Sequence, residues 1–159
     1  MRLVLDTDVV FSGLRSPTGA SRLLLCAAFA RAFVPLVSVT TMLEYEEVLT
    51  RTTSLAAIGA TAADVTAFLD GLMVMSELVH ISRSFRPTIR DPDDEMFVEA
   101  LVNGMGDAVV TFNRRDYMSP DPLAASRGQT SVPVLAPGEV LGRLPWRPSA
   151  ATLYTFRAP

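Results

Sequence analysis

Short apolar segments that alternate with stretches of helical periodicity constrain the fold of this chain more than any other feature. Five such segments are predicted to be strands: residues 2–5, 33–37, 77–81, 108–111 and 132–135. Each is short, and a turn or a helical stretch follows it along the chain. Strands that alternate with helices favour a parallel sheet covered on both faces. The sequence therefore predicts an α/β fold, a three-layer α/β/α sandwich around a mostly parallel five-stranded sheet.

Helix-capping residues mark the segments between these strands. Helices are predicted from about residue 20 to 32, from a cap at Ser38 or Thr40 to about 51, from a cap at Thr61, from Asp91 or Asp93 to about 103, and from Pro137. Gly104 and Gly106 are predicted to end the fourth of them. The residues Asp6-Thr7-Asp8 are interpreted as an acidic turn after the first strand.

The size and composition are those of one globular domain. The chain has 159 residues, of which 49% are hydrophobic and 19% charged. We expect a single domain over residues 1–144 and a C-terminal extension of unknown role over residues 145–159. The apolar runs are too short to cross a bilayer and the N-terminus lacks a signal-peptide core, so we expect a cytoplasmic protein with no membrane association.

The charge and the counts of Cys and His exclude some classes of function. A net charge of −3 gives no overall basic field for nucleic acid, although a carboxylate cluster that binds a divalent metal would itself make the total negative. One cysteine, Cys26, rules out an internal disulfide and a cysteine-rich zinc site. One histidine, His80, rules out histidine-rich zinc hydrolysis.

Carboxylates follow the predicted strands at the edge where open parallel sheets bind ligands. Asp6 comes directly after the first strand, and Asp116 follows the fourth strand with Asn113 between them. The segment DPDDE, residues 91–95, stands where a loop turns into the helix before the fourth strand. Converging carboxylates repel one another at neutral pH, and Mg²⁺ or Mn²⁺ would relieve this repulsion. Such a metal would activate water for attack on a phosphodiester.

Two further acids are placed by their helices. Glu44 lies in the helix after the second strand with apolar neighbours, Leu43 and Val48, which is a costly place for a carboxylate unless it faces a cation. Asp94 lies at the edge of a face predicted to point inward, which carries Phe97, Val98 and Leu101. The structural alternative is that Asp6, Asp91 and Asp93 serve as helix caps or turn formers.

Three stretches of the chain resemble the motifs of the PIN domain family, and more narrowly its VapC-like toxin components. They are RLVLDTDVVFSGL, SVTTMLEYEEVLTR and RDPDDEMFVEALVNGMGDAVVTFNRRDY, and the resemblance extends over roughly residues 1–144. It implies a catalytic and metal-binding quartet of Asp6, Glu44, Asp94 and Asp116.

The same resemblance implies accessory roles and partners. Thr111 would be an orienting hydroxyl and Asn113 an accessory polar group, while Asp91 belongs to the same acidic segment. Asp8 is a departure, since the family usually has Asn there. The resemblance also implies an endoribonuclease that uses Mg²⁺ or Mn²⁺ on RNA, a homodimer, and a cognate antitoxin of a type II toxin–antitoxin module.

Two other functions stay open at this point. The opening Asp6-Thr7-Asp8 also resembles haloacid-dehalogenase-type phosphatases, in which the first Asp is the nucleophile and the second a general acid. The chain has no Lys, however, and Gly106-Asp107 is not followed by a second acid at the required spacing. The other alternative is a catalytically inactive PIN-like scaffold that only binds RNA or a protein.

Overall fold

A five-stranded parallel sheet forms the centre of the molecule. The structure, a computed structural model, describes residues 1–84, 86, 89–118 and 132–148. The strands are β1 (Arg2–Leu5), β2 (Val34–Val37), β3 (Glu77–Leu78), β4 (Ala108–Val110) and β5 (Val134–Leu135). Their order across the sheet is β3-β2-β1-β4-β5, and every pair is parallel. The predicted α/β fold with a parallel five-stranded sheet is confirmed.

Helices cover both faces of this sheet. They are α1 (Thr7–Arg15), α2 (Ala20–Phe29), α3 (Val39–Leu49), α4 (Thr52–Ile58), α5 (Ala62–Met75), α6 (Glu95–Asn103) and α7 (Pro137–Arg143), with a 3₁₀ turn at Pro92–Asp94 before α6. The chain moves from β1 to β3 in one direction and then crosses back to β4. Helix α6 makes that return crossover, and the ring of its Phe97 stacks on Tyr45 of α3 with the ring centroids 6.2 Å apart.

Helix α1 is the main element that the sequence analysis missed, since residues 7–15 were not predicted to be helical. Asp6 is its N-cap, and the Asp6 carboxylate accepts a hydrogen bond from the backbone N–H of Asp8. The β-branched residues Thr7, Val9 and Val10 have low intrinsic helix propensity. Burial of this face against the core decides the outcome, because Val9 and Val10 are fully buried. The prediction of a mere acidic turn was therefore wrong.

The predicted ends of the other elements differ from the structure by a few residues. Strand β3 ends at Leu78 rather than at residue 81, and His80 is exposed beyond it. Ser38, not Thr40, caps α3 through a reciprocal pair of hydrogen bonds with Thr41. The predicted pair of Thr61 and Asp64 at the start of α5 is confirmed.

Close approach of the backbone explains the two glycines that follow α6. A Cβ on Gly104 would lie 2.7 Å from Val79 Cγ2 and 2.9 Å from Leu36 Cδ1, and a Cβ on Gly106 would lie 2.7 Å from Leu101 Cδ1. The helix therefore ends where the chain must pass closely over the sheet.

The chain continues beyond α7 along the body of the domain. Leu144 is buried and Trp146 packs against the hydrophobic core. Residues 149–159, most of the predicted extension, lie outside the described residues. Within the described ranges no single helix is long and apolar enough to cross a membrane, and α4 and α5 meet those criteria only as a pair bent by 81°.

Candidate metal centre

Asp6 lies where the carboxyl ends of the two central strands meet. Its backbone N–H donates to Val110 O at 2.9 Å and so extends the pairing of β1 with β4. The side chain is only 6% exposed, and its Oδ2 accepts a 2.9 Å hydrogen bond from the Tyr117 hydroxyl. Burial raises the pKa of Asp6, and hydrogen bonds from Thr111 and Tyr117 oppose that rise. Asp6 is thus both a helix cap and a buried, hydrogen-bonded carboxylate.

Asp8 connects helix α1 to the loop that follows β4. Its Oδ2 accepts hydrogen bonds from the backbone N–H of Phe112 at 3.0 Å and from the hydroxyl of Thr111 at 3.3 Å. Its Oδ1 is buried and has no hydrogen-bond partner within the described part of the chain. Burial and then the negative charge of Asp6 raise the pKa of Asp8 to about 6. The residue therefore anchors the loop with one oxygen and leaves the other without a donor.

The acidic segment before α6 places Asp94 at the first turn of that helix. Asp91 caps the 3₁₀ turn by accepting from the backbone N–H of Asp93 at 3.0 Å, and Pro92 starts the turn. Asp94 is half-buried, and burial followed by the charges of Asp6, Asp91, Asp116 and Asp8 raises its pKa to about 7. The face of α6 behind it is buried as predicted, through Phe97, Val98 and Leu101.

The loop after β4 brings Asp116 close to Asp91 and Asp94. Backbone N–H groups of Arg90 and Asp91 donate to Asp116 O at 3.0 and 3.3 Å, which joins this loop to the acidic segment. The Asn113 side-chain amide donates to Asp116 Oδ2, and the Asn113 backbone N–H donates to Thr111 Oγ1 at 2.9 Å. Asp91, Asp94 and Asp116 each offer a carboxylate oxygen, and the three oxygens lie within 4.8 Å of one another.

Glu44 is more open than its sequence context indicated. Of the two apolar neighbours on which the prediction for Glu44 rested, Leu43 is 59% exposed and so does not shield the carboxylate from solvent. Burial still raises the pKa of Glu44, as do the charges of Glu47, Asp93 and Asp6, while Arg51 opposes them. Tyr45 holds this part of α3 at the sheet edge, because its buried hydroxyl donates to Leu5 O. Glu44 is therefore within electrostatic range of Asp6 but outside the tight group of three.

The group of three acids that lie together in the structure differs from the predicted quartet. Asp94 and Asp116 lie together with Asp91, which the sequence analysis had placed among the accessory residues. Tyr117 was missed as a functional neighbour. The hydroxyl of a buried tyrosine needs a hydrogen-bond partner, and this requirement was the signal in the sequence. The partner, Asp6, lies 111 positions away in the chain, so the sequence did not identify it.

The donor set matches one class of metal. The oxygens of Asp91, Asp94 and Asp116 are all carboxylate oxygens, which suit Mg²⁺ or Mn²⁺ better than softer ions. Burial and, after it, the charges of the neighbouring acids raise the pKa of Asp94, and a divalent cation would neutralise that charge repulsion. Asp8 adds a buried oxygen without a hydrogen-bond donor beside them. These residues fit a divalent metal centre.

Comparison with protein families agrees with this geometry. A model of the PIN domain, a nuclease-type fold, matches residues 2–115, which is more than two thirds of the chain. The match includes Asp6, Glu44 and Asp94 and ends one residue before Asp116. Comparison with curated proteins and with solved structures gave no match. On the strength of the family match, this chain belongs to the PIN domain family.

Proposed function

We propose that this protein is a metal-dependent endoribonuclease. The observation that carries the proposal is the convergence of Asp91, Asp94 and Asp116 within 4.8 Å of one another, at the end of the sheet where Asp6 is buried. Acids this close are costly to keep ionised together, and a metal site gives that arrangement a use. A nuclease-type fold with such a centre supports hydrolysis of phosphodiester bonds.

The residues that would hold Mg²⁺ or Mn²⁺ are Asp94 and Asp116, with Asp6 and Glu44 from the family resemblance and Asp91 from the geometry. When bound, the cation would polarise the phosphodiester and lower the pKa of an attacking water.

The remaining residues keep these carboxylates in position. Tyr117 holds Asp6, Asn113 holds Asp116, and Asp8 together with Thr111 fixes the loop between them. Each carboxylate so held needs little rearrangement when substrate and metal arrive.

Mutation of Asp94 tests the proposal. With purified protein, Mn²⁺ and an unstructured RNA, Asp94→Asn should lower the cleavage rate by more than about 100-fold, because a metal ligand supplies several kcal/mol of transition-state stabilisation. Asp70→Asn is the matched control, since Asp70 is an exposed carboxylate on α5. Unchanged cleavage by Asp94→Asn would contradict the site assignment.

The RNA-cleavage assay, together with a test for a phosphoaspartate, separates the two other candidate functions. A scaffold would bind RNA and never cut it in Mn²⁺. A phosphatase of the haloacid-dehalogenase type would form a phosphoaspartate on Asp6. The position of Asp107 does not favour the phosphatase. Asp107 accepts from the backbone N–H of Arg2 at 2.7 Å, at the end of the sheet opposite Asp6, so it offers no second acid to a phosphatase site.

The biological setting that we propose follows from the resemblance to VapC-like toxins. In that setting the protein acts on cytoplasmic RNA as a homodimer, and a cognate antitoxin inhibits it. Induction of the wild-type gene should stop growth, and Asp94→Asn should relieve the arrest. Unimpaired growth with the active enzyme would contradict a toxin role and leave the nuclease proposal intact.

A further inference from the structure

Phe112 is an exposed aromatic residue at the edge of the candidate metal centre. It follows Thr111 at the end of β4, and 55% of it is exposed to solvent. Within the described ranges it is the only aromatic residue among the large exposed hydrophobic side chains. An aromatic ring left in water forgoes a substantial part of its burial free energy.

The backbone that presents this ring is held by three hydrogen bonds. The N–H of Phe112 donates to Asp8 Oδ2 at 3.0 Å, the N–H of Thr111 donates to Leu135 O at 3.0 Å, and the N–H of Asn113 donates to Thr111 Oγ1 at 2.9 Å. The ring is therefore attached to a backbone that is held in place, and one of the bonds that hold it is to the carboxylate of Asp8. A surface that is already in place loses little conformational freedom when a ligand binds.

Two arginines adjoin the same edge. Arg115 lies in the loop that carries Phe112, and the backbone of Arg90 binds Asp116 O. Both are exposed, and neither takes part in a salt bridge with another described residue, whereas their neighbour Arg114 is paired with Glu139. Their guanidinium groups are therefore not neutralised by a described carboxylate, and guanidinium suits phosphate contacts.

We propose that Phe112 stacks on an unpaired RNA base next to the scissile phosphate, and that Arg90 and Arg115 contact the neighbouring phosphates. This inference rests on the proposed ribonuclease function and adds the residue that selects single-stranded substrate. Aromatic rings bind nucleic-acid bases by stacking, which requires a base that is not already paired and stacked in a duplex. Because the backbone N–H of Phe112 donates to Asp8 and the same loop carries Asp116, a base stacked on the ring would bring its own phosphodiester toward the carboxylates.

Binding of a short, fluorescently labelled unstructured RNA, with Ca²⁺ in place of Mg²⁺ to prevent cleavage, tests this inference. Phe112→Leu should weaken binding by between about 5- and 150-fold, the range typical of loss of one base–aromatic stack. Phe112→Trp should bind within about 2-fold of wild type because it keeps a stacking face. Val74→Ala, at a site on α5 that is 70% exposed, is the control for simple loss of surface hydrophobicity.

Kinetics and a second substrate separate stacking from a structural role. Phe112→Leu should raise KM for single-stranded RNA with little change in kcat, and it should leave binding of a duplex of the same sequence unchanged. If Phe112→Leu binds single-stranded RNA as tightly as the wild-type protein does, the inference is overturned. Cleavage of RNA by the wild-type protein would in that case still support the proposed nuclease. A wild-type protein that neither binds nor cuts RNA would overturn the proposed function and this inference with it.

Discussion

The hydroxyl of Tyr117 donates a 2.9 Å hydrogen bond to Oδ2 of Asp6, so the residue after Asp116 holds the carboxylate that caps α1. This contact joins the two ends of the candidate site, since Asp6 follows β1 and Tyr117 follows β4. Both side chains are buried. Desolvation and the nearby negative charge of Asp6 raise the pKa of Tyr117, so the phenol stays protonated as the donor.

Tyr117→Phe should shift the acid limb of cleavage to higher pH. The hydrogen bond from Tyr117 lowers the pKa of Asp6, so its loss raises that pKa and reduces the ionised fraction at low pH. Stability should fall by about 1.5–3 kcal/mol, as for other hydrogen bonds to charged groups. The pH–rate profile and urea unfolding measure the two effects.

Tyr45→Phe is the matched control for that variant. It also loses a buried hydroxyl bond, to Leu5 O, but it leaves the donors to Asp6 in place. It should therefore be destabilised without a shifted acid limb. An equal shift in both variants would show that the effect is general destabilisation and not the Tyr117–Asp6 contact.

Stability of the metal-free protein should fall as pH rises through the range in which Asp94 ionises. The folded-state pKa of Asp94 is raised to about 7, so the folded chain holds a proton there that the unfolded chain has already released. The contribution of Asp94 to stability is therefore largest below about pH 4 and declines between about pH 4 and pH 7. Thermal unfolding across this range, with and without Mg²⁺, measures the decline, and Mg²⁺ should oppose it. The metal-free Asp94→Asn protein should show a smaller decline, and an identical one would contradict the assignment.

Asp8→Asn should preserve the fold and weaken metal binding. The Asn carbonyl can still accept from the N–H of Phe112, so the loop stays anchored, but one negative charge near Asp94 is lost. Affinity for Mg²⁺ depends on the charge count around the site, and titration calorimetry should show a higher Kd. Asp8→Ala removes the acceptor as well and should cost a further 1–3 kcal/mol or so of stability. Tighter Mg²⁺ binding by Asp8→Asn would contradict this role.

Gly104→Ala should destabilise the protein by about 1–3 kcal/mol, as overpacking does in a filled core. The added Cβ would meet Val79, Leu36 and the carbonyl oxygen of Ala100, all at 2.7–2.9 Å. Gly138→Ala is the control, because nothing lies within 4 Å of a Cβ at that position of α7. Urea unfolding should separate the two variants. Equal stability would mean that the end of α6 has room for a side chain.

Local signals in the sequence were sufficient for the architecture. Apolar runs such as residues 2–5 and 108–111, and caps such as Thr61, act through neighbours close in the chain, and they predicted the parallel sheet and most helices. Helix α1 was missed because its formation depends on burial of Val9 and Val10 in the core, which local propensity does not express.

Some features of the candidate site were likewise predictable from the sequence, and others were not. Asp6 and Asp116 were predicted as site residues because each follows a strand that ends at the same sheet edge, an inference that needs only the order of elements. Other features of the site depend on how the helices and loops pack together. They are the closeness of Asp91 to Asp94 and Asp116, the hydrogen bond from Tyr117 to Asp6, and the exposure of Leu43 beside Glu44. The sequence by itself determined which strands end in acids. Only the tertiary structure decided which acids meet, because that depends on how the loop after β4 packs against the segment before α6, and on contacts of that loop with Asp6 and Asp8, about a hundred positions away in the chain.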